Sequence, residues 1–93
     1  MPGHLVFRLH AVRRTLGRGI SEDEVGSIVE HGEVLEAYPD DEPYPSELLL
    51  GWIGARPLHV VAAHHIESQI TFIIPVYEPE TREWEAGFKR RRP

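Results

Sequence analysis

Apolar positions along the 93-residue chain follow two different periods, and the change falls at Gly32. Ahead of it, Leu9, Val12 and Leu16 stand at i, i+3 and i+7, the spacing of a helical stripe that faces a core. His10, Arg14 and Arg18 advance by four residues each and form a second stripe away from the first. Gly17 and Gly19 bracket the end of this helix. A second helix is predicted over roughly residues 22–31. Ser21 is its N-cap, Glu24 completes a capping box, and Ile20 and Val25 stand where a hydrophobic staple forms. Val25, Ile28 and Val29 make its buried face.

Beyond Gly32 the pattern turns to strands. "EVLEAY" is the first, and the prolines and acids of "PDDEPYPSE" end it in a loop. "LLLGWIG" and "LHVVAAHHI" follow, with "ARP" as the turn between them. "QITFIIPVY" is the fourth, with Ile70, Phe72, Ile74 and Val76 on one face. Pro75 marks an edge position, a bulge or the strand's end. A short extra strand fits around residues 4–8, and Trp84 and Phe88 are packing anchors near the C-terminus. Strands joined by short connections pair antiparallel. The expected fold is therefore α+β, with two N-terminal helices packed on one face of a roughly four-stranded antiparallel sheet. Residues 1–88 form one domain and residues 89–93 a basic tail.

The composition narrows the chemistry. Hydrophobic residues make up 41%, enough for one small core. The absence of cysteine excludes disulfides, thiolate zinc sites and a cysteine nucleophile. "MPGHLVFRLH" lacks the apolar run of a signal peptide, and no stretch approaches the roughly 20 apolar residues that span a bilayer. A cytoplasmic location without membrane association is expected. The net charge of −5 conceals segregation: Glu22 to Glu47 holds ten acidic residues and no lysine or arginine. Arg8, Arg13, Arg14 and Arg18 precede that block, and Lys89 to Arg92 close the chain. Such separation focuses a field on one face while the total stays negative.

Six histidines supply candidate proton-transfer groups. His10 with Arg14 places an acid–base group beside a fixed cation on one helical turn, a combination suited to phosphodiester cleavage. Spacing alone is also satisfied by a solvated cationic face. His59 opens a strand with Arg56 three residues earlier. Alternation groups His59 with Val61 and Ala63, and His64 with Val60 and Ala62, without fixing which set meets the core. Adjacent His64 and His65 point to opposite strand faces, so no metal site is assigned. Tyr77 and Glu78 orient a substrate or finish the sheet. Glycine-rich phosphate loops, dinucleotide fingerprints and nucleophile elbows are missing from the sequence.

"HAVRRTLGRGISEDEVGSIVEHGEVLEAYPDD", "GWIGARPLHVVAAHH" and "PVYEPETREW" together resemble the bacterial domain-of-unknown-function family 4258 over about residues 5 to 85. That family is similar in layout to the RelE-like and MqsR-like toxin ribonucleases of the barnase and colicin superfamily. The resemblance implies a toxin-like, metal-independent endoribonuclease of a toxin–antitoxin system, with RNA and a small antitoxin protein as partners and no cofactor. His10, Arg14, Arg18, His59 and Tyr77 match the family pattern, whereas Pro75 stands where members carry threonine. On that reading His10, His59 and Tyr77 are catalytic, and Arg14, Arg18 and Arg56 bind substrate. The alternative is a non-catalytic module of the same fold that binds RNA or a protein.

Overall fold

The computed structural model describes residues 4–7 and 19–93. Its elements are β1 (His4–Phe7), α1 (Glu22–His31), β2 (Glu33–Tyr38), β3 (Ser46–Ile53), β4 (Arg56–His65) and β5 (Ile70–Tyr77). The strands form one sheet in the order β1-β5-β4-β3-β2. Successive strands β2 to β5 pair antiparallel, while β1 lies parallel to β5 with His4 opposite Ile70 and Phe7 opposite Ile73.

This corrects the expected architecture. The sheet has five strands and is mixed, and one short helix is present among the described residues, so the domain is mostly β. The first expected helix, with its stripe of Leu9, Val12 and Leu16, lies outside the described residues. The extra strand adds to the far side of β5, against a partner more than sixty residues away, where no local pattern announces it. The turn also shifts. Gly54 takes a left-handed conformation (φ 61°) in a two-residue hairpin closed by the Ile53–Arg56 pair, so Arg56 and Pro57 belong to β4.

The second helix forms as its caps predict. Ser21 Oγ accepts from the Glu24 N–H at 3.1 Å, and the Ser21 N–H donates to Glu24 Oε1 at 2.8 Å. The Gly32 N–H closes the other end on the Ile28 carbonyl at 2.7 Å. Val25 and Ile28 are buried and Val29 is partly so. They pack on Leu49, Leu58, Val60, Ala62, Ile73 and Val76 from the sheet, with Leu5, Phe7 and Ile53 at the margin. Ile28 rests directly on Gly51, where a Cβ would overlap its side chain.

On β5 the expected face breaks. Val60 pairs with Val76 and Ala62 with Ile73, so β5 carries one extra residue at Ile74–Pro75. This bulge puts Ile73 and Val76 together in the core, while Ile70, Phe72 and Ile74 stay only partly buried. Proline is tolerated there because a bulged residue makes no full set of ladder bonds.

The sheet face away from α1 is covered as well. Leu48, Leu50, His59 and Ala63 are buried on it. Tyr44 from the β2–β3 loop stacks on Phe72 and on His65, with ring centroids 5.6 and 4.5 Å apart. The C-terminal segment folds into a small hairpin in which Trp84 bridges Arg91, Glu85 N–H donates to the Arg90 carbonyl, and Arg92 N–H donates to the Glu83 carbonyl. Gly87 and Phe88, with φ of 88° and 62°, make its tip.

Candidate functional site

His59 sits where β4, β5 and the C-terminal hairpin meet. It lies opposite Tyr77 on β5 and opposite Leu50 on β3, and it is fully buried. Its Nε2 is 2.9 Å from the Phe88 carbonyl oxygen. A carbonyl only accepts, so Nε2 carries the proton. In the neutral ring Nδ1 is then a bare acceptor, and the Tyr77 hydroxyl at 3.2 Å donates to it. Burial lowers the His59 pKa and Arg91 adds to that effect, while the bond to Phe88 opposes it. Burial raises the Tyr77 pKa, Arg91 counteracts this, and Glu83 adds to the rise. The two groups therefore form a neutral pair whose ring nitrogens are both engaged. The Trp84 ring stands edge-on to His59 at 4.3 Å, and Tyr77 does so at 5.2 Å.

What this cluster presents to solvent is the hairpin's outer side. The Arg91 guanidinium lies 4.7 Å above the Trp84 ring. Lys89, Arg90 and Arg91 line a cleft of about 300 Å³ with Leu35, Leu48 and Glu36. Lys89 also reaches Glu33 at 3.0 Å, and Arg92 Nε donates to the Thr81 carbonyl at 2.6 Å. Beside the hairpin tip, Trp52 meets Phe88 edge-on at 6.1 Å and is 50% exposed. Cations and exposed aromatic surface thus share one side of the sheet.

The sequence-predicted residues divide into three groups. His10, Arg14 and Arg18 lie outside the described residues. His59 and Tyr77 are brought into contact. Arg56 lies apart from them. Alternation sets it on the α1 face with Leu58, and it pairs with Glu78 through Nη2 at 2.6 Å and Nε at 2.8 Å.

A second polar group escaped the sequence reading. His64 Nε2 lies 3.0 Å from Glu47 Oε1, and its Nδ1 lies 3.0 Å from Thr71 Oγ1. The three residues come from three adjacent strands, so only the register joins them. Among the described residues no three histidine, aspartate or glutamate side chains converge as metal ligands.

The model of one protein family, described as "Domain of unknown function (DUF4258)", matches residues 7–78. Among curated proteins and among solved structures, no match to the chain is found.

Proposed function

The chain belongs to the DUF4258 family, and we propose that it is an RNA-binding domain which takes single-stranded RNA on its C-terminal hairpin face. One observation carries this reading: Lys89, Arg90 and Arg91 surround a cleft floored by aromatic and aliphatic groups, with Trp52 exposed alongside. Cations that follow a phosphate backbone beside aromatic rings on which bases stack are the usual components of single-strand recognition. Glu36 lines the same cleft and Glu33 pairs with Lys89, so Arg90 and Arg91 are the cations offered to phosphates there. The hairpin lies beyond residue 78, where the family match ends, so the proposal concerns this chain and not every member.

Kinship with RelE-like and MqsR-like toxin ribonucleases would extend this reading from binding to metal-independent cleavage, with a small antitoxin as partner. Attack by a 2′-hydroxyl requires a base and an acid facing the bound strand. With both ring nitrogens of His59 engaged inside the protein, the residue that the family resemblance leaves for that chemistry is His10, with Arg14 and Arg18 to bind the phosphate. His59 and Tyr77 would then shape the face rather than transfer protons.

The test is fluorescence anisotropy with labelled single-stranded RNA in chelator, followed by a denaturing gel of the same samples. Binding should weaken linearly with log salt, by about 0.7 per neutralised phosphate. Arg90→Ala with Arg91→Ala should reduce both affinity and salt slope. Wild type that does not bind at low salt, or a double variant that binds equally well, overturns the proposal. Cleavage on the gel that is lost in His10→Ala extends it to catalysis.

A further inference from the structure

At the sheet end where β2 leaves, β3 enters and β4 turns into β5, the chain leaves a second cleft, of about 530 Å³. Pro39, Pro45, Ile66 and Ile70 give it apolar lining, and Glu47 and His64 give it polar lining. The Glu47 carboxylate is held by a chain of two hydrogen bonds. His64 donates Nε2–H to its Oε1, and Thr71, itself buried, donates its hydroxyl to His64 Nδ1 in the neutral ring. The carboxylate's direction is thus set by three neighbouring strands. A carboxylate has about four acceptor positions on two oxygens, so one bond from His64 leaves capacity for a ligand.

Among the described residues, the cleft is lined by the Glu47 carboxylate and by no lysine or arginine. Phosphates are repelled from such a place. A cation on an apolar stem suits it, because lysine and arginine bury their methylenes while the head group seeks a charged acceptor.

We propose that this cleft receives a lysine or arginine side chain from an extended basic segment of a partner protein. The stem lies along Pro39, Pro45, Ile66 and Ile70, and the head group bonds to Glu47. This site is independent of the RNA-binding face. Glu47 pairs in register with the core residue Ala62 and so points to the α1 side, whereas the C-terminal hairpin covers the opposite side.

The probe is a fluorescein-labelled peptide, acetylated and amidated, with alternating glycine and lysine. Its binding to the full chain is followed by anisotropy, and amide chemical shifts locate it. Shifts should concentrate at Glu47, His64, Ile66 and Gln69. Glu47→Gln keeps the shape, removes the charge and should weaken binding roughly tenfold. Because that change also touches His64, a second variant places a cation at the rim. Ile66 is 77% exposed, so Ile66→Lys leaves the core intact and should weaken the peptide to a similar extent. Unchanged affinity in both variants, or shifts centred on Glu80 and Glu83, overturns the proposal. Equal affinity for n-butylamine and for the peptide also overturns it, since the occupant would then be a small amine.

Discussion

The imidazole of His59 and the backbone carbonyl of Phe88, 29 residues apart in the chain, are joined by a 2.9 Å hydrogen bond inside the protein. The bond ties the C-terminal hairpin to the middle of β4, and Trp84 and Tyr77 pack around the buried imidazole that makes it.

Replacing that imidazole should therefore be costly. His59→Ala leaves a cavity and strands the Phe88 carbonyl and the Tyr77 hydroxyl without partners, a combination worth about 2–4 kcal/mol of stability. Urea unfolding followed by tryptophan fluorescence measures the loss. The native-state emission should also shift to longer wavelength as Trp84 meets water. A loss below about 0.5 kcal/mol, the size of an ordinary surface change, would place His59 outside the framework of the fold.

The same burial makes stability depend on pH. The folded-state pKa of His59 is lowered from its ordinary value of 6.5, so the unfolded chain takes up a proton at a pH where the folded chain does not. The contribution is fully present above about pH 6.5 and is lost as pH falls from there through the lowered folded value. Tyr77 works at the other limb. Its pKa is raised from 10.0, so its contribution is present below about pH 10 and is lost as pH rises through the folded value. Melting temperature against pH should lose part of its acid slope in His59→Gln and part of its alkaline slope in Tyr77→Phe. Profiles parallel to wild type in both variants would contradict the assignment.

Gly51 gives a packing prediction. A methyl group there overlaps Ile28, the residue that seats α1 on the sheet, so Gly51→Ala should destabilise by about 1–3 kcal/mol. Shortening the opposing side chain makes room. In a double-mutant cycle, Gly51→Ala with Ile28→Ala should cost less than the sum of the two single changes. Strict additivity in chemical denaturation would show that α1 does not rest where the structure has it.

Ser21 provides the matching test at the helix start. Ser21→Ala removes the acceptor for the Glu24 N–H and should cost about 0.5–2 kcal/mol. Ser21→Asp should restore most of that, because a carboxylate oxygen accepts the same bond. Helical circular dichroism and unfolding midpoints read both effects.

These elements differ in how far local sequence announces them. Helix 22–31 was legible because its signals are contiguous: Ser21 and Glu24 cap it, Ile20 and Val25 close its entry, and Gly32 ends it. The strands were legible in number from β2 onward because their residues alternate or run apolar between turn formers. Pairings between distant segments were not. β1 meets β5 across most of the chain, and the bulge at Ile74–Pro75 changes which side chains share a face without altering the composition of the strand. His59 was legible as a candidate, but its burial depends on Trp84 and Phe88 folding back over it. Glu47, His64 and Thr71 stand far apart in the sequence and become neighbours only through strand register.

The parallel pairing of β1 with β5 also fixes an order of assembly. β2 to β5 join through short connections and close loops of a few residues, which is fast. The four residues of β1 find their partner only after Ile70–Ile73 have been positioned by β4. Theirs is the longest loop closure in the sheet and the last ladder to form. It is correspondingly the first to open, so amide protons at the β1–β5 border should exchange with solvent well before those between β3 and β4. The meander from β2 to β5 is thus a template that exists before the sheet is complete, and β1 is the piece added to it.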